Sequence, residues 1–252
     1  MTCSFHKFGE YFPGTGTQED RGRGKGKGYA INVPLKDGIT DQAFQSVFEP
    51  VRFPSLHCAA NINRRCEQVI SKILEVYRPS VVVLQCGADS LSGDKLGCFN
   101  LTMHGHAHCV QYLRRRNIPL ILLGGGGYTV KNVARAWTYE TACALGIEET
   151  IDPNLPWNQY FEWFGPRYRL EVVENNMDDL NVKDGSLEKV RFVPQYCISW
   201  VMSYIHDDTE LPLWSNCRSS PLPLLSGCTT SQEKVLGSTL GLIRTRKRAE
   251  MS

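Results

Sequence analysis

Pro119-Leu120-Ile121-Leu122-Leu123-Gly124-Gly125-Gly126-Gly127-Tyr128 is an unbroken apolar run that opens directly into four glycines and a tyrosine. A run without polar alternation is what a strand buried on both faces of a parallel sheet requires. A similar run, Val81-Val82-Val83-Leu84, lies upstream and leads into Gln85-Cys86-Gly87-Ala88-Asp89-Ser90. Helical stretches follow both, from Thr102 to Arg116 and from Val130 to Leu145. Strand, loop and helix twice over predicts an α/β fold, a parallel sheet with flanking helices. Ligands in such sheets bind beyond the carboxyl ends of the strands, so the loops 85–94 and 124–128 are the candidate site.

Working outward, residues 1–28 read as loop, with a Gly/Lys/Arg run at 21–28. Tyr29 to Val33 reads as a short strand ended by Pro34. Asp41 is expected to cap a short helix reaching Phe48. Residues 69–77 have helical spacing, and Arg78-Pro79 stops them. Residues 52–69 have no clear period and separate Phe48-Glu49-Pro50-Val51 from Ile70-Ser71-Lys72-Ile73, which marks an insert. Beyond Val190 the chain mixes Trp, Cys, Pro and Ser without periodicity, and 191–252 is expected to be a divergent, poorly ordered tail.

Hydrophobic residues make up 42% of the 252-residue chain, enough for a real core. A formal net charge of +2 gives no global reason to expect nucleic acid. No stretch approaches the roughly 18 apolar residues that span a bilayer. The start, Met1-Thr2-Cys3-Ser4-Phe5-His6-Lys7, has neither the apolar core of a signal peptide nor the bias of a transit peptide. The ten cysteines form no Cys-x-x-Cys, so free thiols in a reducing compartment are expected rather than a disulfide framework. A soluble intracellular protein is the expectation.

Asp89 follows a buried strand, where a carboxylate can bind a metal, orient a base, or simply cap a turn. The glycines 124–127 leave backbone amides uncovered, with Tyr128 at the rim; the alternative is a flexible strand-to-helix turn. A phosphate cradle fits poorly, because neither the P-loop nor the dinucleotide spacing is present. On the predicted helix His104 and His108 share a face and His106 points elsewhere. With no acidic partner nearby in sequence, all three read as solvated or packing histidines. The basic run at 21–28 could touch phosphate or an acidic tail, but a solvated loop is the simpler reading. Cys3, Cys86, Cys98 and Cys109 read as small buried hydrophobes.

Together, Ser4 to Gly16, Leu84 to Leu101, Pro119 to Tyr128 and Lys131 to Thr141 resemble class I zinc-dependent histone deacetylases, with a weaker match at Tyr160 to Pro166. The resemblance covers about residues 2–190 apart from the insert. It implies an arginase-like α/β fold with zinc at the bottom of a narrow tunnel that admits acetyl-lysine. In the family the metal polarises the amide carbonyl and a bound water, a histidine pair handles the proton, and a tyrosine hydroxyl stabilises the oxyanion. Carried over by motif, Asp89 matches a zinc ligand and Tyr128 the oxyanion tyrosine. Phe12 matches a tunnel wall, Leu96 a rim residue, and Gly126 and Gly127 backbone positions near substrate. Ser4 and Phe5 match positions that help hold potassium, and Tyr29 a second such site. Lys95 and Lys131 stand where these enzymes often carry arginines facing an inositol phosphate; lysine keeps the charge but loses the bidentate fork.

The same resemblance implies acetylated histone tails or other acetyl-lysine proteins as substrates and corepressor subunits as partners. It implies no sequence-specific DNA binding and no membrane. Residence would be nuclear, possible in cytoplasm as well, and the Arg244-Thr245-Arg246-Lys247-Arg248 cluster is only suggestive. The family's tandem histidines and its Asp-x-Asp-x-His-His-Gly-Asp-Gly stretch lie upstream of the first matching block and are not in this chain. The chain is therefore expected to be a C-terminal half that alone neither binds zinc well nor deacetylates; the alternative is a catalytically dead corepressor-binding module. Deleting 52–69 rejoins the flanks as relatives read, which suggests retained intron sequence, with a genuine loop insertion second.

Overall fold

The computed structural model describes residues 1–49 and 69–190, and the backbone of 237–243. The insert, apart from Val69, and most of the stretch after Val190 lie outside the described residues. Five strands form one sheet: β1 (Thr2–Lys7), β2 (Ala30–Leu35), β3 (Val81–Gln85), β4 (Leu120–Leu123) and β5 (Gly237–Ile243). Their order is β2-β1-β5-β3-β4. β1 runs parallel to β2 and β3 parallel to β4, while β5 lies antiparallel to both β1 and β3. The helices are α1 (Asp41–Phe48), α2 (Val69–Tyr77), α3 (Met103–Arg114), α4 (Val130–Leu145) and the short α5 (Leu180–Lys183). This is the expected parallel α/β arrangement, with β5 as an antiparallel member between its two parallel pairs.

Several local expectations are corrected. Residues 2–7, read as loop, are a strand whose Cys3 and Phe5 are buried while Thr2 and Ser4 are not. Six residues are too few for that alternation to stand out beside the glycine-rich run that follows. β2 passes through Pro34 rather than stopping there, because it is an edge strand and the missing N–H leaves no central ladder bond unmade. Within the stretch given no fold, residues 237–243 supply the central strand.

The main core lies where α1, α2 and α3 meet the sheet. Phe5, Phe44 and Phe48 form an aromatic triangle with ring centroids 5.3–5.9 Å apart, and such pairs add to simple area burial. α1 begins after Thr40, and Asp41 does not cap it. The Asp41 carboxylate instead accepts from the Thr102 backbone N–H at 2.8 Å and its hydroxyl at 2.5 Å. Thr102 in turn caps α3 by accepting from His104 and Gly105 N–H, each at 3.1 Å. Gly105 is glycine because a Cβ there would lie 1.8 Å from Asp41 Oδ1. Among the described residues no helix is long and apolar enough to cross a membrane.

Candidate functional site

β3 and β4 are adjacent and parallel, in register from Val82–Leu120 to Gln85–Leu123. The loops after them therefore leave the sheet on the same side. Asp89 sits four residues beyond β3 in a 3-10 turn, Ala88–Ser90, and is only 2% exposed. Tyr128 sits five residues beyond β4 and is half-buried. Burial raises the Tyr128 phenol pKa, and the Asp89 and then the Asp94 charges raise it further. The phenol thus stays protonated at neutral pH and able to donate a hydrogen bond.

The glycines between β4 and Tyr128 are occupied by the protein itself. A Cβ at Gly124 would meet Trp137 at 2.9 Å, one at Gly125 the Gln85 amide at 1.8 Å, and one at Gly126 Asp89 Oδ2 at 2.0 Å. Gly127, at φ +144°, would meet Val133 at 2.6 Å. The bare backbone lets the two loops close on each other, and Gly126 N–Cα–C forms one wall beside the carboxylate. The Ala88 N–H donates to Gly126 O at 2.8 Å and completes that contact.

The loop that holds Phe12 reaches the same place from β1. His6, at the end of that strand, contacts Gly16 O through Nε2 and Ser4 Oγ through Nδ1, both at 2.9 Å. Tyr11 donates to Leu96 O at 2.6 Å. The Tyr11 bond ties the loop carrying Phe12 to Leu96, and the Phe12 and Leu96 side chains are 59% and 55% exposed. Tyr11 also lines a space of about 10 Å³ with Asp89, Lys7 and Cys98. Its phenol pKa is pushed up by burial first, then by Cys98, Asp89 and Asp94.

Three further groups escaped the sequence reading. His106 is buried on α3, its Nδ1 against Glu140 of α4 and its Nε2 3.0 Å from Gly87 O. Both ring nitrogens face acceptors, which requires both to carry protons. Its pKa is raised: burial opposes the charge, but Glu140, the Gly87 carbonyl and Asp89 outweigh it. Thus α3 and α4 together hold the backbone turn just before Asp89. Asp94 is the second missed group, bridging the loops through backbone N–H groups on both. Tyr11 is the third. His106 and Glu140 are 34 positions apart, and nothing local signals the pairing. His108 meets Glu49 at 2.6 Å, and the His104 ring stands on Tyr139.

Ser4 and Phe5 lie mid-β1, in register with Asn32 and Val33 on one side and Thr239 and Ser238 on the other. Phe5 is part of the core. The Tyr29 carbonyl accepts from Thr2 N–H at 2.8 Å. Lys131 lines an open cleft of about 340 Å³ with Arg135, Arg167 and Arg169; Lys95 is exposed and does not line that cleft. Cys3, Cys86 and Cys109 are buried free thiols, whereas Cys98 is half-buried.

Zinc held for catalysis takes three protein ligands. Among the described residues no group of three or more His, Cys, Asp or Glu side chains is placed to hold a metal. Asp89 is one hard oxygen donor at the right end of the sheet, and the described residues do not by themselves fit the ion.

Comparison with known proteins bears directly on this arrangement. The histone deacetylase domain matches residues 1–144. Type-1 histone deacetylase 1 of Dictyostelium discoideum is 51% identical over 191 residues, 76% of this chain and 34% of the relative. Histone deacetylase clr6 of Schizosaccharomyces pombe is 54% identical over 183 residues, 73% of this chain and 40% of the relative. Histone deacetylase 1 of Homo sapiens is 52% identical over 191 residues, 76% of this chain and 35% of the relative. The chain thus spans 34–40% of the length of these curated relatives. With its two strand-end loops, its partial arginase-like sheet and these matches, the chain belongs to the histone deacetylase family.

Proposed function

We propose that this chain carries the C-terminal share of a zinc-dependent lysine deacetylase site, and that the site is completed by residues outside it. The observation that carries the reading is that Asp89 and Tyr128 follow adjacent, in-register parallel strands whose loops leave the sheet on the same side, with the Asp89 charge acting on the Tyr128 phenol. In this reading Asp89 is one metal ligand. Tyr128, kept protonated, donates to the oxygen that gains charge when the acetamide carbonyl becomes tetrahedral. Phe12 and Leu96 line the apolar approach for the lysine stem, and the backbone of Gly126 and Gly127, packed against Asp89 and Val133, stands beside the acyl group. The family is zinc-dependent in general, and the ion would polarise the scissile carbonyl. Potassium at Ser4 and Phe5 and at Tyr29, an inositol phosphate in the basic cleft of Lys131, which Lys95 does not line, histone tails as substrate and a nuclear location belong to the same proposal.

The chain alone retains no stoichiometric zinc and turns over no acetyl-peptide. Metal analysis and an acetyl-lysine peptide assay on the purified chain test that, and zinc with turnover would refute it. The site assignment is tested by fusing this chain behind the upstream segment of a relative such as human histone deacetylase 1. Turnover that depends on Asp89 and Tyr128 is expected; turnover indifferent to Tyr128→Phe would refute the assignment.

A catalytically silent module that docks on corepressor subunits is the second reading. The exposed aromatic side chains Trp157 (83%), Trp163 (74%) and Tyr160 (58%) favour it, since aromatic residues concentrate in protein interfaces. Loss of corepressor capture by Trp163→Ala, in a chain that stays folded, supports this reading; unchanged capture counts against it.

A further inference from the structure

Asp94 makes more hydrogen bonds to loop backbone than any role as a solvated surface acid would need. Oδ1 accepts from the Leu96 and Gly97 N–H groups, both at 2.9 Å. Oδ2 accepts from the Tyr128 N–H at 2.7 Å and the Thr129 N–H at 3.1 Å. One carboxylate therefore spans the loop after β3 and the loop after β4, one oxygen to each. The Thr129 hydroxyl adds a return bond to Gly93 O at 2.9 Å. Charge-assisted bonds of this kind are roughly twice as strong as neutral ones, and all four converge on a rigid two-carbon side chain.

From this geometry we infer that Asp94 is a positioning residue: its carboxylate clips the Asp89 loop to the Tyr128 loop and so fixes where Tyr128 stands relative to Asp89. The inference deepens the proposed function and rests on its assignment of Asp89 and Tyr128 to one site. No other side chain can serve in the same way without change. Asparagine presents only one acceptor oxygen, so Asp94→Asn must turn an NH2 group toward one pair of N–H donors and lose that half of the clip. Because Thr129 is the N-cap of α4, its N–H lies at a helix N-terminus, where a full negative charge is worth more than a neutral amide.

The test places 3-fluorotyrosine at position 128 and records its ¹⁹F shift in four chains: parent, Asp89→Asn, Asp94→Asn and the double variant. In the parent background Asp89→Asn is expected to move the resonance, and in the Asp94→Asn background that response should fall by at least half. Amide exchange at Tyr128 and Thr129 should quicken about 10-fold or more in Asp94→Asn, as expected for lost bonds to a charged acceptor. A fold-wide role for Asp94 would instead lower the melting temperature and leave the ratio of the two ¹⁹F responses unchanged. Equal responses in both backgrounds overturn this inference alone. No response in the parent overturns it together with the proposed function's assignment of Asp89 and Tyr128 to one site. Should Asp94→Asn not fold, the parent chain decides: Tyr128 and Thr129 amides protected about 10-fold or more over free-peptide rates support the clip, and unprotected amides overturn it.

Discussion

Replacing Glu140 by Gln removes the charge beside His106 while keeping the volume of the side chain. Both partners are 3% exposed, so solvent does little to screen the pair. In the parent, imidazolium is required because Nδ1 faces the Glu140 carboxylate and Nε2 the Gly87 carbonyl. In Glu140→Gln the amide NH2 can donate to a neutral Nδ1, and the Nε2–H still reaches Gly87. A bond to a charged partner, about 1.5–3 kcal/mol, is exchanged for a neutral one of about 0.5–1.5 kcal/mol, so the loss is about 1–2 kcal/mol. For a domain of this size that lowers the melting temperature by about 2–8 °C.

The loss also has a pH signature. His106 is raised from its ordinary 6.5 in the folded chain. Its contribution is therefore fully present below pH 6.5 and is lost as pH rises through the folded value. Urea unfolding of parent and variant under reductant, at about pH 6 and again at about pH 9, measures the difference directly. The gap should be widest at the acid end and shrink toward the alkaline one. A gap of constant size across that interval would show that His106 is not held as the cation, and the reasoning from its two acceptors would fail.

Three other outcomes are expected. Tyr128→Phe in the completed enzyme should cost on the order of 10²–10³ in turnover, typical of an oxyanion donor, and leave thermal stability nearly unchanged. Gly126→Ala drives a methyl to 2.0 Å from Asp89 Oδ2, so calorimetry should record a loss of about 1–3 kcal/mol, as for an overpacked core; a neutral result would mean that the loops are not in contact. Gly105→Ala should destabilise the chain even though alanine is the better helix former by about 1 kcal/mol, because the methyl displaces Asp41 from the α3 cap; a rise in melting temperature would contradict that contact.

How far the sequence could be read depended on whether the signal was local. The strands β3 and β4, the span of α4 from Val130 to Leu145, and the strand-end positions of Asp89 and Tyr128 were legible from period or from neighbours in the chain, but the expected burial of β4 on both faces is not met, with Ile121 48% and Leu123 49% exposed. Asp94 was half legible. A Gly-Asp step followed two residues on by an accepting turn is an ordinary Asx pattern, and it accounts for Leu96 and Gly97. The other two donors belong to residues 34 and 35 positions away.

What the sequence by itself determined is the class of fold and the two loops where chemistry can happen, because strand and helix periods are short-range and glycines disfavour a strand's continuation. Only the tertiary structure decided what those glycines are for, why a glycine stands at position 105 within α3, and why His106 meets Glu140 and the Gly87 carbonyl. Each of those depends on which side chain arrives from a distant element, and a polar group in a dry interior takes its role from the partner it meets.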